Sequence, residues 1–114
     1  MNDTLMLHCG DYFSFNFLPS IDGKTIYKLQ DNDLVYFGLL DNRQPFSKAL
    51  LKKKFTKADQ DSEGFIKIVL DSKDTLDLLA GTYYYSIKLR LLDSNFKIDK
   101  TVGVINKSRL ILLA

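Results

Sequence analysis

The feature that most constrains the fold is an alternation of apolar and polar side chains between residues 83 and 91. The odd positions are Tyr83, Tyr85, Ile87, Leu89 and Leu91, and the even positions are Tyr84, Ser86, Lys88 and Arg90. Successive side chains of a β-strand point to opposite faces, so this pattern predicts a half-buried strand with the odd positions in the core. Gly81, just before it, permits a sharp backbone turn.

Similar short segments recur along the chain, separated by turn signals. Residues 13–17 and 65–70 alternate in the same way. The segment 33–41 is continuously apolar between its terminal residues Asp33 and Asp41, which is typical of a strand covered on both faces. Residues 47–56 could form a helical turn, but their brevity favours a strand. This spacing predicts an all-β sandwich or barrel of seven or eight strands. The expected core includes Phe13, Phe15, Tyr36, Ile68, Tyr83, Tyr85, Ile87 and Leu89.

Length and composition are those of one globular domain spanning residues 1–114. Hydrophobic residues make up 46% and charged residues 26%, which argues against disorder. No apolar run approaches the roughly 20 residues of a membrane-spanning helix. The first residues also lack the charged-then-apolar pattern of a secretory leader. We therefore expect a soluble protein with no membrane partner, made without a secretory signal.

Residues with potential for chemistry do not form a recognisable active site. Residues 59–64 start like a calcium loop, but Leu70 stands where the bidentate acid is required, so we expect a solvated hairpin loop with Gly64 at positive φ. His8 and Cys9 are adjacent and would face opposite ways in a strand. The sequence therefore predicts no catalytic residue, no metal site, no cofactor and no small-molecule substrate.

The basic cluster at residues 51–55 has two interpretations. Lysines next to aromatic residues can mark a protein that binds single-stranded nucleic acid. However, Asp59, Asp61 and Glu63 follow closely and would cancel much of the positive field. The net charge of +2 is also small. An edge strand that its lysines protect against unwanted pairing is the favoured interpretation, with no nucleic-acid partner.

Two groups of residues are candidates for contact with a partner protein. Tyr84, Lys88 and Arg90 would share the exposed face of one strand, and Tyr and Arg are enriched at interface hot spots. Leu110 and Leu112 belong to an apolar C-terminal run that places apolar side chains on both faces of a strand. One face of that run either completes the core or meets another subunit.

Nearly the whole chain resembles the small immunoglobulin-like domain of phage and prophage tail or baseplate proteins, such as the N-terminal part of upper baseplate proteins. That domain opens with an Arg-Gly-Asp-x-Phe strand and continues through a Val-Tyr-Phe strand and an Asp-x-x-Gly hairpin. It ends in an Asp-Thr pair followed by a Leu-x-Ala-Gly-x-Tyr-x-Tyr-Asp-Ile motif. The matching residues are Gly10, Asp11, Phe13, Val35, Tyr36, Phe37, Asp61, Gly64, Asp74, Thr75, Leu78, Ala80, Gly81, Tyr83, Tyr85 and Ile87. Three positions depart from the pattern: Cys9 stands in place of the usual Arg, Leu79 in place of the expected Pro, and Ser86 in place of the usual Asp before Ile.

The resemblance implies a non-enzymatic structural protein with an immunoglobulin-like fold. It would belong to the tail, baseplate or connector of a bacteriophage particle and contact other virion proteins, in several copies. It would be made in the bacterial host cytoplasm. The alternative is a binding module outside the virion, either an adhesin-like or carbohydrate-binding sandwich or a phage protein that inhibits a host factor.

Overall fold

The computed structural model describes residues 4–20, 22–41, 45–92 and 99–114. Strands dominate these residues, as the alternation predicts. They are β1 (Leu5–His8), β2 (Phe13–Phe17), β3 (Leu34–Leu40), β4 (Leu51–Phe55), β5 (Ile66–Leu70), β6 (Gly81–Leu92) and β7 (Asp99–Leu113). One helical turn, α1 (Ser72–Thr75), follows β5, and short 3₁₀ turns lie at Phe46–Lys48 and Lys57–Asp59. The all-β class and the strand at residues 51–55 are confirmed.

The strands form two sheets. The larger sheet has five strands in the order β1-β7-β6-β3-β4, antiparallel except for β1, which runs parallel to β7. The smaller sheet is the antiparallel pair of β2 and β5. Because β4 and β5 belong to different sheets, the segment between them crosses from one sheet to the other. The hairpin loop expected at residues 59–64 therefore does not join β4 to β5, but it closes an isolated antiparallel bridge between Gln60 and Ile66, and Gly64 has the expected positive φ, of 101°.

The core lies between the two sheets and follows the period of two. The fully buried large side chains are Leu29, Phe37, Leu39, Leu40, Ile66, Ile68, Leu70, Tyr85, Ile87, Leu89, Leu110 and Leu112. At the centre, the ring of Phe37 stacks on Tyr85 at 5.9 Å, and Phe15 meets both rings edge-on at 6.3 Å. These contacts join β2 of the small sheet to β3 and β6 of the large sheet.

Most of the predicted core residues lie there, but Tyr36 does not. Ile68, Tyr83, Tyr85, Ile87 and Leu89 are buried, while Phe13 and Phe15 are half-buried and pack against the core. In β3 the core face belongs to Val35, Phe37 and Leu39, so Tyr36 points outward and is only half-buried. A continuously apolar strand gives no alternation from which its inner face can be chosen, which explains the error.

A buried carboxylate, that of Asp33, anchors the segment before β3. Asp33 is 2% exposed. Its Oδ2 accepts hydrogen bonds from the Tyr27 hydroxyl at 2.5 Å and from the Gln30 amide at 2.9 Å. Its Oδ1 accepts one from the Leu92 amide at 3.2 Å. This side chain therefore ties residues 27–30 to the end of β6.

The basic strand β4 lies at an edge of the large sheet, as the sequence predicts. Lys52 and Lys54 are exposed on its outer face. Lys53 points to the other side, and its Nζ lies 2.6 Å from the Asp74 carboxylate of α1. Charged side chains on an edge strand discourage pairing with another chain.

Candidate interaction face

The outer face of the large sheet brings basic and aromatic side chains together. The strand register places Tyr36 between Lys54 of β4 and Lys88 of β6. In a neighbouring row, Arg90 lies opposite Thr101 of β7. Because all these residues point away from the core, β3, β4, β6 and β7 jointly define one surface. We call this surface the basic face; its charged and aromatic residues are Tyr36, Phe46, Lys52, Lys54, Tyr84, Lys88, Arg90, Asp99 and Arg109.

The ring of Phe46 covers the middle of the basic face. It lies directly over Gly38 of β3, where a Cβ atom would collide with the ring. The Lys88 ammonium is 4.8 Å from the centre of this ring and the Lys52 ammonium 5.8 Å. Both separations are within the range of a cation–π interaction, which holds a cation over an aromatic face. Glycine at position 38 is thus required for the close approach that places Phe46 between two lysines.

A two-point ion pair fixes the side chain of Arg90 at the rim of the basic face. Its Nε and terminal nitrogen donate to the two carboxylate oxygens of Asp99 at 2.8 and 2.6 Å. The Asp99 hydrogen bond, supported by one with Tyr36, raises the pKa of Arg90 above its ordinary value. The same Arg90 hydrogen bond lowers the pKa of Asp99. An ion pair this exposed adds little stability, so its main effect here is to orient the guanidinium.

The predicted contact residues Tyr84, Lys88 and Arg90 all lie on the basic face. Tyr84 is half-buried rather than exposed, and it stands between Leu40 and Arg109 in the register. Sequence reasoning did not join Phe46, Lys52 or Asp99 to these residues. The period of two within β4, which puts Lys52 and Lys54 on the same face, was a usable signal for these lysines. Phe46 could not be found in this way, because it reaches the face from a turn.

Leu110 and Leu112 are not available to a partner in this structure. They are 0% and 1% exposed and face the core from β7, paired with Tyr83 and Gly81. This position agrees with the alternative that the C-terminal run completes the core. The intervening Ile111 points to the opposite face and is half-buried beside the exposed Met6.

A concavity opens between the two sheets, beside the unpaired edge of β2. Its lining is largely apolar and consists of Leu5, Phe15, Asn16, Phe17, Leu18, Ser20, Asp22, Gly23, Tyr85, Val102, Gly103, Val104 and Ile105. Among the described residues the small sheet has two strands, which leave part of the large sheet's inner face uncovered.

The residues considered for metal binding or catalysis serve local structure. The Asp61 carboxylate accepts hydrogen bonds from the amides of Glu63 and Phe65, and that of Asp59 accepts one from the Thr56 amide. His8 is exposed, whereas Cys9 lies against the core with its thiol directed at the Leu78 carbonyl. Across the described ranges, no group of three or more His, Cys, Asp or Glu side chains is placed to hold a metal ion.

Comparisons with protein families, with curated proteins and with solved structures found no match to this chain. In the part of the chain that the structure describes, no helix is long and apolar enough to cross a membrane.

Proposed function

We propose that this chain is an immunoglobulin-like sandwich and a non-enzymatic structural subunit of a bacteriophage particle. The observation that carries the proposal is the phage-domain motif that extends over nearly the whole chain, because its residues make the contacts that join distant parts of this fold. The partners would be other virion proteins of a tail, baseplate or connector, and the subunit would be present in several copies.

The strand order supports the immunoglobulin-like part of the proposal. In such domains the last two strands belong to the same sheet as the third strand. The corresponding order here is β7-β6-β3-β4. The second and fifth strands pair in the other sheet, as β2 and β5 do. In the part of the chain that the structure describes, the second sheet consists of that pair.

A tyrosine at the start of β6 gives further support. Many immunoglobulin-like domains have a tyrosine corner, in which a Tyr hydroxyl donates to a backbone carbonyl a few residues upstream. The buried Tyr83 donates to the Leu79 carbonyl oxygen at 2.7 Å, just before β6 begins. Both residues lie in the last motif of the phage domain, where Tyr83 matches the pattern and Leu79 departs from it.

Other motif residues also make structural contacts rather than a chemical site. The Gly10 amide donates to the hydroxyl of Thr75 at 3.0 Å, which links the turn after β1 to α1, and Thr75 is fully buried. Asp74 of α1 pairs with Lys53 of β4 at 2.6 Å. Such a motif is expected of a domain whose role is to hold its shape and present a surface.

The proposal is tested by mass spectrometry of phage particles purified by density gradient from a culture that produces this protein. We expect peptides of the chain in the particle fraction, at several copies per particle when calibrated with labelled standards. A host cytoplasmic protein of similar size serves as the contamination control. If the chain remains in the soluble lysate while known virion proteins sediment, the virion assignment is wrong and a binding module outside the particle is the better explanation.

A further inference from the structure

We infer that the basic face docks against an acidic surface of a partner protein. This inference rests on the proposed function in one respect, because the partner would be another protein of the same particle.

The outer face of the large sheet carries mainly positive charge, although the whole chain is close to neutral. The strand positions that point outward carry Lys52, Lys54, Lys88, Arg90 and Arg109. Among the described strand residues of this face, Asp99 is the acid. Asp71, Asp74 and Asp77 cluster around α1, which Lys53 meets from the inner side of β4. A surface of one sign attracts a surface of the opposite sign and steers its approach.

Several of these cations are already held in position before any partner arrives. Lys88 and Lys52 lie over the Phe46 ring, and the Lys52 ammonium also donates to the Ser47 carbonyl at 3.3 Å. Arg90 is oriented by Asp99. Ordering a long side chain upon binding costs roughly 0.5–1.5 kcal/mol, so cations that are ordered beforehand favour association. Carboxylates of a partner could therefore meet Lys52 and Lys88 at little further entropic cost.

The same geometry favours protein over nucleic acid as the partner. Binders of single strands stack bases on aromatic faces, but here lysines occupy the face of Phe46, and Tyr36 is half-buried. The DNA major groove is about 12 Å wide and admits a helix or a two-stranded ribbon. Four strands at about 4.8 Å spacing are wider than this groove before side chains are counted. A broad sheet face fits another folded protein surface better.

The test uses a pair of charge-reversed variants. Lys54→Glu combined with Lys88→Glu changes the basic face, and Lys67→Glu combined with Lys73→Glu is the control on exposed positions of β5 and α1. Each pair changes the formal net charge from +2 to −2, since each reversal subtracts two. The intact chain is titrated into a fluorescein-labelled glutamate-rich peptide and into a labelled single-stranded oligothymidine of equal charge, with fluorescence anisotropy as the signal. Circular dichroism confirms folding, and Lys54→Glu alone replaces the pair if the pair does not fold.

We expect wild type and control to bind the peptide in a salt-dependent manner, and the face variant to bind at least about tenfold more weakly. Equal binding by the face variant and the control would overturn the inference, and so would tighter binding of the oligothymidine. The particle assay separates the two proposals. If wild type and face variant both enter particles equally well, the basic face is not the docking surface, although the virion assignment stands. If wild type binds the peptide but is absent from particles, the acidic partner lies outside the virion.

Discussion

Removal of the Asp33 carboxylate should destabilise the fold more than removal of any exposed acid. In Asp33→Ala, the Tyr27 hydroxyl and the amides of Gln30 and Leu92 lose their acceptor. A hydrogen bond to a charged group contributes about 1.5–3 kcal/mol. The two shorter bonds alone would give about 3–6 kcal/mol. The variant also no longer buries a charge, and Tyr27 and Gln30 can reach water, so we expect a net loss of about 2–4 kcal/mol.

A loss of this size should be plain in a urea titration followed by far-ultraviolet circular dichroism. A domain of this length has a free energy of unfolding of about 5–15 kcal/mol, so the midpoint should shift strongly at an unchanged slope. Asp31→Ala is the matched control from the same loop, because the Asp31 side chain is 88% exposed and pairs with an exposed Lys57. That change should cost less than about 1 kcal/mol. Equal midpoints for the two variants would refute the reasoning that Asp33 is an anchor.

Three further predictions concern the core, the tyrosine corner at Tyr83 and the stability at alkaline pH. Leu110→Ala should cost about 2–5 kcal/mol in urea unfolding, because it leaves a cavity in the core, whereas the half-buried Leu113→Ala should cost clearly less; the reverse order would contradict the assignment of the core face of β7. Tyr83→Phe should lose about 1 kcal/mol, the contribution of the hydroxyl bond to Leu79, and an unchanged midpoint would show that this bond is dispensable. Burial raises the pKa of Tyr27 to about 12 from 10.0, so its folded-state contribution is complete below pH 10 and is lost as the pH rises toward 12; Tyr27→Phe should flatten this decline in pH-dependent unfolding.

The local alternation of side chains was sufficient to predict the strand class and much of the core. In β6 the odd positions are apolar and the even positions carry Lys88 and Arg90, so only one orientation buries the apolar set. The same reasoning correctly placed Ile68 on the core side of β5. It also identified Lys88 and Arg90 as residues of an outward face before their neighbours were known.

The pairing of strands could not be read in this way, because it depends on contacts between residues far apart in the chain. The segment at residues 57–64 has hairpin-like composition, yet β4 pairs with β3 and β5 pairs with β2. Burial of the apolar sides of both strands decides between a hairpin and a crossing. That choice is made only when both sheets are present.

The sequence by itself determined that apolar and polar side chains alternate along this chain, that the chain forms strands, and that cations lie on one side of β6. Only the tertiary structure decided that Tyr36 faces outward, that Leu110 and Leu112 complete the core, and that Phe46 lies over Gly38 between two lysines. The physical reason is that a period of two is a local property of one strand. The assembly of the basic face instead depends on the register of four strands and on the close approach of a ring from a turn.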